Sequence, residues 1–285
     1  MQDVALATPI AAPAPAPAPS ARAAATASCR SCDAPLTHTF VDLGMSPLCE
    51  SYLRPDQLHA MEPFFPLHVW VCSRCFLVQV QQYVSREEIF TEYAYFSSYS
   101  DSWLAHARGY AERMIAELRL TPASRIVEVA SNDGYLLQYF VARGLTALGI
   151  EPAANVARAA IARGVPTLVE FFGRALARDL AAAPHYGPAD LLIGNNVLAQ
   201  VHDLHDFVGG LKTLLAPGGV LTLEFPHLMR LVEGNQFDTI YHEHFSYFSL
   251  FSVTRMLGAH GLTIYDVEEL ETHGGSLRIF ACHAE

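Results

Sequence analysis

The sequence has few of the features that mark nucleic-acid-binding and membrane-spanning proteins. It holds 18 Lys and Arg against 29 Asp and Glu, a net charge of −11, and a single lysine, Lys212. A nucleic-acid-binding domain needs a basic face, so we expect no nucleic-acid partner. No apolar run approaches the roughly 20 residues that a membrane-spanning helix requires, so we expect no membrane partner either.

The N-terminus lacks the basic start and apolar stretch of a secretory signal. Residues 1–27 are instead rich in alanine and proline, and residues 13–19 alternate the two. Proline fixes φ and removes a hydrogen-bond donor, so we expect a disordered, extended tail. Without a secretion signal, the expected compartment is the cytoplasm, where disulfides are disfavoured. The six cysteines of the chain therefore require another explanation.

Four of the cysteines form two C-x-x-C pairs, Cys29 with Cys32 and Cys72 with Cys75. Each pair places two thiols on one tight turn, and two such pairs can surround a tetrahedral zinc ion. The alternatives are four unrelated buried thiols or a redox pair. A site with four cysteine ligands has no open coordination position. We therefore expect a structural zinc ion in a small domain of residues 28–85.

From Thr121 onward, short apolar strands alternate with helical segments, the pattern of a doubly wound parallel sheet. Residues 86–122 are expected to form a connecting segment and a helix, and residues 123–285 the main domain. The fold class is α/β, a Rossmann-like sheet of seven strands preceded by the small zinc-binding domain. Five strands are expected to run parallel, with an antiparallel pair closing the sheet, at residues 125–130, 147–151, 167–171, 189–194, 219–225, 262–267 and 276–280.

The turn after the first of these strands carries the expected cofactor site, because an open α/β sheet binds its cofactor there. The second strand ends in Glu151, whose carboxylate can accept hydrogen bonds from two ribose hydroxyls. A dinucleotide-binding turn has glycine where this chain has Ala130 and Asn132. The turn is also acidic, which disfavours a pyrophosphate and suits the sulfonium of S-adenosylmethionine. The expected cofactor-binding residues here are Glu128, Ala130, Asn132, Asp133, Gly134 and Glu151.

Several motifs resemble those of a known family. They are residues 132–134, 150–152, 195–206, 237–249 and 273–278. Together with the paired cysteines, they are similar to the zinc-containing class I methyltransferases that C-methylate nucleotide-linked 4-keto deoxysugars in deoxysugar biosynthesis. The resemblance covers the chain from about Cys29 to its end. It implies a class I methyltransferase fold, bound zinc, S-adenosylmethionine as methyl donor and a dTDP-sugar substrate, and it adds Pro152, Asn195 and Asn196 to the expected cofactor contacts.

The most specific of these motifs is Tyr-His-Glu-His at residues 241–244. Methylating carbon requires removal of a proton next to a ketone, and histidine suits that step because its unperturbed pKa lies near neutrality. The resemblance implies that His244 is the base, with Tyr241 and Glu243 orienting the sugar or stabilising the enolate. The alternatives for the H-x-H pattern are a metal-binding pair or histidines hydrogen-bonded in the core, and they apply most to His242.

The chain departs from the family in two ways. Family members carry His where this chain has Gln200, which affects a secondary substrate contact. They also usually continue into a further C-terminal domain that helps to hold the nucleotide-sugar. The expected function is S-adenosylmethionine-dependent C-methylation of a dTDP-linked 4-keto sugar. The alternatives are methylation of oxygen or nitrogen on another small metabolite, and a non-catalytic binding protein that keeps the fold.

Two aromatic segments leave two interpretations open. Residues 93–100, rich in tyrosine, precede a helix expected over about 101–120, and they either cover the active site or pack between the domains. Phe171 and Phe172, at the end of the third strand, either sandwich an adenine or belong to the core.

Overall fold

The computed structural model describes residues 27–90 and 93–285, so the prediction of a disordered tail over residues 1–27 falls, apart from Ala27, outside the described residues. The strands are β1 (His38–Ser46), β2 (Phe65–Val71), β3 (Val78–Val80), β4 (Arg125–Val129), β5 (Thr146–Ile150), β6 (Thr167–Leu168), β7 (Ala189–Asn195), β8 (Leu215–Pro226), β9 (Ser246–Tyr247), β10 (Leu262–Leu270) and β11 (Ser276–His283). The α-helices are α1 (Arg86–Phe90), α2 (Asp101–Glu117), α3 (Leu137–Val141), α4 (Ala154–Ala162), α5 (Arg174–Ala182), α6 (Leu204–Leu214), α7 (Leu228–Glu233) and α8 (Leu250–Ala259). Short 3-10 turns lie at Pro55–Gln57, Ser97–Tyr99, Leu198–Gln200, Phe237–Thr239 and Thr272–Gly274. Within the described ranges, no helix has the length and apolarity needed to cross a bilayer.

The large sheet confirms the expected seven-stranded α/β fold. Its order is β10-β11-β8-β7-β4-β5-β6. Strands β8, β7, β4, β5 and β6 run parallel, and β10 and β11 form the antiparallel pair that closes the sheet. A parallel sheet is covered on both faces, so its strands are mostly apolar; Ile126, Val127 and Val129 of β4 are all buried, and Glu128 is the polar residue among them. Helices α5, α6 and α8 cover one face, and α2, α3 and α4 cover the other.

Two predicted elements are shorter than expected. Strand β6 ends at Leu168 rather than residue 171 because it is the edge strand and pairs only with the last two residues of β5. The chain then turns, and Phe171 and Phe172 leave the sheet. Helix α2 ends at Glu117 rather than near residue 120, because Arg119 takes a φ of +51° and stops the helical hydrogen bonding.

A four-stranded antiparallel sheet of order β1-β2-β3-β9 forms the small N-terminal unit. Its strand β9 comes from the second half of the chain and follows the Tyr-His-Glu-His segment directly. The backbone N–H of Val80 also donates to the carbonyl of Phe245 at 3.0 Å. One face of this sheet buries Leu67 and Val69 against Leu231 and Ile240. The small unit therefore packs against the main domain beside the segment that carries the candidate catalytic residues.

Candidate active site

A cleft of about 680 Å³ opens at the carboxyl ends of the parallel strands. Residues that follow β4, β5 and β7 form one end, which we call the cofactor end because the expected cofactor residues lie there. Residues that follow β8 and β10 form the other end. The expected cofactor residues that line the cleft are Ala130, Asn132, Glu151, Pro152, Asn195 and Asn196. Glu128, Asp133 and Gly134 lie behind this surface. The expected catalytic residues Tyr241 and His244 line the opposite end.

Glu151 is held at the cofactor end by two backbone donors. The N–H of Asn132 donates to Oε2 at 2.9 Å, and the N–H of Ala153 donates to Oε1 at 2.8 Å. Only 5% of Glu151 is exposed, and burial raises its pKa to about 7, although the two donors act in the opposite direction. A carboxylate offers about four lone-pair positions, so each oxygen keeps room to accept a ribose hydroxyl.

Asp133 and Gly134 build the cofactor turn from behind. The buried Asp133 forms an ion pair with Arg163 at 2.7 Å and accepts a hydrogen bond from the hydroxyl of Ser98. Gly134 has a φ of +77°, and a Cβ atom there would lie 3.0 Å from a methyl group of Val165. These residues fix the turn against α4 and the segment before α2, and the cleft surface is formed by their neighbours.

Buried acceptors without partners surround the cofactor end. Asn195 and Asn196 line the cleft, and each has a buried side-chain oxygen that no described residue bonds. Beneath them, the carboxyl of Glu128 is fully buried, and burial raises its pKa well above the ordinary value. Unpaired acceptors at a cleft need donors from a ligand. The ammonium and sulfonium groups of S-adenosylmethionine are positively charged, so this residue set fits that cofactor.

At the other end, Tyr241 and His244 form a hydrogen-bonded pair. The Tyr241 hydroxyl lies 2.9 Å from Nε2 of His244, and Nδ1 of the same ring lies 3.0 Å from the carbonyl oxygen of Thr239. The backbone N–H of His244 donates to the carbonyl of Tyr241, which closes the turn. Burial lowers the pKa of His244 to about 4. The imidazole is therefore neutral at physiological pH.

His242 and Glu243, between these two residues, face a second cavity of about 230 Å³. Nε2 of His242 lies 3.2 Å from the carbonyl of Pro66 in β2. Glu243 is 4% exposed, accepts a hydrogen bond from the Tyr93 hydroxyl at 3.4 Å, and has a pKa raised to about 7 by burial. The two histidines thus contact different surroundings, and in the described residues neither belongs to a cluster of three or more metal ligands.

The four paired cysteines form a compact cluster in the small unit. Their Sγ atoms all lie within 4.8 Å of one another, with Cys29 to Cys75 and Cys32 to Cys72 at 3.5 Å. Four sulfurs around zinc at roughly 2.3 Å lie about 3.8 Å apart, so the cluster fits a zinc ion. The side-chain amide of Gln79 donates to Sγ of Cys29 at 3.2 Å, the kind of second contact that supports a thiolate ligand.

Comparison with known proteins supports both units. A family model described as "Putative zinc binding domain" matches residues 29–90, and one described as "Methyltransferase domain" matches residues 103–267. The chain belongs to the methyltransferase family. It is also 36% identical over 256 residues to "C-methyltransferase NovU" of Streptomyces niveus, an alignment that covers 90% of this chain and 60% of NovU. This methyltransferase therefore spans less than two thirds of that relative's length.

The similar solved structures are more distant. Magnesium protoporphyrin IX methyltransferase (ChlM) from Synechocystis PCC 6803, with bound SAH, is 16% identical with a TM-score of 0.48, covering 62% of this chain and 82% of ChlM. An S-adenosylmethionine-dependent methyltransferase from Clostridium acetobutylicum ATCC 824 is 10% identical with a TM-score of 0.48, covering 64% and 92%. Likeness at this level does not indicate a substrate.

The tyrosine-rich segment of the methyltransferase lies against the cleft, which favours the first of its two interpretations. Tyr93, Tyr95 and Ser97 all line the cleft, and Gln200 does so as well. Burial raises the pKa of Tyr93, and a hydrogen bond with Gln200 partly offsets that effect. Gln200 therefore contacts the tyrosine-rich segment at the cleft.

The two phenylalanines at the end of the third predicted strand both line the cleft, and one of them also belongs to the core. Phe171 and Phe172 line the cofactor end of the cleft, and Phe172 is also buried in the core with its ring edge-on to Phe207 at 5.6 Å. The guanidinium of Arg86, in α1, lies 4.4 Å from the centre of the Phe171 ring. The methyltransferase thus closes this end of the cleft with α1.

Among the cleft residues with no role assigned from the sequence is a histidine near the catalytic turn. His273 lines the cleft, takes a φ of +52°, and has its ring edge-on to Trp103 at 5.0 Å. Its proximity also lowers the pKa of His244. The signal available was the His-Gly-Gly start of the 273–278 motif, since histidine tolerates the left-handed region better than most residues.

Proposed function

We propose that this methyltransferase transfers the methyl group of S-adenosylmethionine to a carbon of a dTDP-linked 4-keto deoxysugar, with His244 as the base. The observation that supports this most is the Tyr241–His244 pair, which lies in the same cleft as Glu151 and the unpaired Asn195 and Asn196. The relative NovU is a C-methyltransferase, and the sugar nucleotide is the substrate class that the sequence motifs indicate. The proposal places the chain in deoxysugar biosynthesis.

The hydrogen bonds of His244 define which nitrogen is basic. A carbonyl oxygen only accepts, so Nδ1 carries the proton that it donates to Thr239, and Nε2 carries the lone pair. In the proposed step, Nε2 takes the proton from the carbon next to the ketone. The C–H electron pair moves into the enolate, and the ring becomes an imidazolium whose Nδ1–H remains bonded to Thr239.

Tyr241 supplies the hydrogen-bond donor that the developing enolate needs in that step. Its hydroxyl donates to Nε2, and rotation of the O–H can redirect the donor to the ketone oxygen of a substrate. This single change frees Nε2 and provides a donor to the developing oxyanion. A base with a pKa of about 4 is weak, so stabilisation of the enolate has to supply much of the driving force.

Methyl transfer itself depends on placement. S-adenosylmethionine, when bound, supplies an electrophilic methyl group. In this proposal Glu151, Asn195 and Asn196 hold the donor, and Tyr93 and Trp103 line the same cleft. Holding two reactants in line removes much of the entropic barrier of a bimolecular reaction.

Glu243 acts on the sugar through Tyr93 in this proposal. Its carboxylate lies in the second cavity, and its contact with the main cleft is the hydrogen bond from the Tyr93 hydroxyl. Tyr93 lines both cavities. Glu243 therefore fixes the orientation of a phenol that faces the substrate, which leaves proton removal to His244.

The test is mass spectrometry of a dTDP-4-keto-2,6-dideoxysugar incubated in D2O with the protein, with and without S-adenosylmethionine. We expect a gain of one methyl group with the donor and deuterium at the adjacent carbon without it, above an enzyme-free control. Methyl gain without carbon-bound deuterium would indicate transfer to oxygen or nitrogen. Neither signal, in protein that binds S-adenosylmethionine, would overturn the proposal and favour a non-catalytic binding protein.

A further inference from the structure

The two cysteine turns carry one arginine each, and the two arginines have different surroundings. Arg30, between Cys29 and Cys32, is partly buried, whereas Arg74, between Cys72 and Cys75, is exposed. The side chain of Arg74 forms no hydrogen bond or ion pair with the residues that the structure describes. Arg30 instead extends from the cysteine cluster toward the candidate catalytic turn.

Arg30 contacts three segments of the chain that meet at the cleft. Its guanidinium donates to the carbonyl of Val80 at the end of β3, and to the carbonyl of His202 at 3.4 Å. The same group lies 5.3 Å from the centre of the Phe245 ring. His202 lines the cleft, and Phe245 follows His244 directly. One side chain thus joins the small unit to a residue that lines the cleft and to the residue that follows His244.

The segment after His244 is also built into the small sheet. The N–H of Val80 donates to the carbonyl of Phe245 at 3.0 Å, and Gln79 pairs with Ser246 across β3 and β9. Phe245 is 1% exposed. The backbone on the C-terminal side of the catalytic turn is therefore fixed by β3 and Arg30, while local bonds to Thr239 and Tyr241 orient the imidazole.

Gln79 links Arg30 to the cysteine cluster. It is 1% exposed, its amide nitrogen donates to Sγ of Cys29 at 3.2 Å, and its amide oxygen accepts from the backbone N–H of Arg30 at 3.0 Å. A continuous set of contacts thus runs from Cys29 through Gln79 and Arg30 to Phe245. The cysteine unit is joined to the catalytic turn by directional bonds as well as by apolar packing.

We propose that Arg30 is a positioning residue for the reaction, which sets the place of His244 from the cysteine unit. This inference rests on the proposed function of His244. Replacing Arg30 with methionine keeps the length and apolar stem of the side chain, but leaves the carbonyls of Val80 and His202 without their donor and removes the cation above Phe245. The turn can then shift, and a displacement of about 1 Å at a reacting group can cost about 100-fold in rate.

The test compares Arg30→Met, Arg30→Lys and, as matched control, Arg74→Met in the full chain. We expect all three to keep the metal content of the wild type and its S-adenosylmethionine affinity. In Arg30→Met, deuterium exchange at the substrate carbon at saturating substrate should fall about 10- to 100-fold with little change in KM. Arg30→Lys should recover part of the loss because it restores one donor and the charge, and Arg74→Met should match the wild type.

A second readout does not depend on activity. Backbone hydrogen exchange, measured by mass spectrometry, should become faster at residues 241–248 in Arg30→Met and stay unchanged at β4, which lies in the other sheet. Loss of metal from Arg30→Met, an equal effect of Arg74→Met, or unchanged exchange at residues 241–248 would each overturn the proposal. If the wild type fails to exchange the substrate proton, the proposed function fails, and the backbone exchange still decides the role of Arg30.

Discussion

The hydroxyl oxygen of Tyr241 lies 2.9 Å from Nε2 of His244, on the side of the ring opposite the bond between Nδ1 and Thr239. The Thr239 carbonyl fixes the proton on Nδ1, so the lone pair of Nε2 points at a hydroxyl that can leave it. The Tyr241 hydroxyl thus pairs with the base, and burial, which lowers the pKa of His244 to about 4, keeps the imidazole neutral above that pH.

Removing either member of this pair should separate chemistry from cofactor binding. We expect His244→Ala to abolish both methyl transfer and exchange of the substrate proton in D2O. Tyr241→Phe keeps the ring and loses the donor to the enolate, so kcat should fall about 100-fold, the scale of removing one oxyanion donor. Steady-state kinetics with the sugar nucleotide measure both effects.

The control for both variants is calorimetric titration with S-adenosylmethionine. The affinity should stay within about threefold of the wild type, because neither side chain belongs to the cofactor end of the cleft. A large loss of affinity would mean that the pair has a binding or structural role.

Cofactor affinity should depend on pH through Glu151, whose pKa burial raises to about 7. The ionised carboxylate accepts ribose hydroxyls better than the protonated acid, so affinity for S-adenosylmethionine should rise as the pH increases from 6 to 8. Glu151→Gln should bind more weakly and lose this dependence. Calorimetry across the pH range measures both, and a pH-dependent Glu151→Gln variant would contradict the assignment.

The same carboxyl has the opposite effect on the stability of the ligand-free protein. Its folded-state pKa is raised above the ordinary 4.5, so its stabilising contribution is complete below pH 4.5 and is lost as the pH rises through about 7. Glu243 contributes in the same direction. Because the two carboxyls change stability over the same pH range, stability cannot separate them. The pH dependence of S-adenosylmethionine affinity is the measurement that isolates Glu151.

Removing one cysteine ligand should unfold the small unit. We expect Cys72→Ser to release about one metal ion per chain and to lower the melting temperature by at least about 5 °C. Metal analysis and thermal unfolding give the two values. Cys282→Ser is the matched control, since Cys282 lies on β11 outside the cysteine cluster. If removing the metal from the wild-type protein left its melting temperature unchanged, the zinc assignment would be refuted.

The cofactor turn should not tolerate a side chain at Gly134. Gly134→Ala introduces a Cβ at 3.0 Å from Val165 in addition to the strain of a positive φ. Gly144→Ala carries similar strain, at a φ of +73°, with no atom within 4 Å of the new Cβ. We expect Gly134→Ala to be less stable than Gly144→Ala by about 1–3 kcal/mol. Urea unfolding of both variants isolates the contact, and equal stabilities would exclude it.

Apolar runs and helical periodicity were enough to predict the seven strands and their parallel or antiparallel sense, because each central strand is buried on both faces. The same approach predicted a third strand that is longer than β6, because the sequence does not show where an edge strand stops pairing with its neighbour. It did not indicate β9, whose two residues pair with a strand far away in the chain. Periodicity reports local geometry and carries little information on such pairing.

The sequence predicted which segments form the site better than it predicted the direction in which their side chains point. Glu151 was expected at the site from its strand end and His244 from the family resemblance, and both line the cleft. Asp133 and Glu243 occur in the same motifs but point into an ion pair and a second cavity. Alternating left-handed residues at Ala130 and Asn132 rotate successive side chains to different sides of the turn, and residue spacing alone does not specify that rotation.

The origin of β9 has a consequence for the order in which the chain is made. Both cysteine pairs leave the ribosome well before Ser246 and Tyr247, so the metal can be taken up while the small sheet still has three strands. Until β9 has been synthesised and has paired with β3, one edge of β3 (Val78–Val80) has no partner. That edge is then open to pairing with strands of other molecules. A fragment that ends before β9 should therefore bind metal and aggregate through that edge.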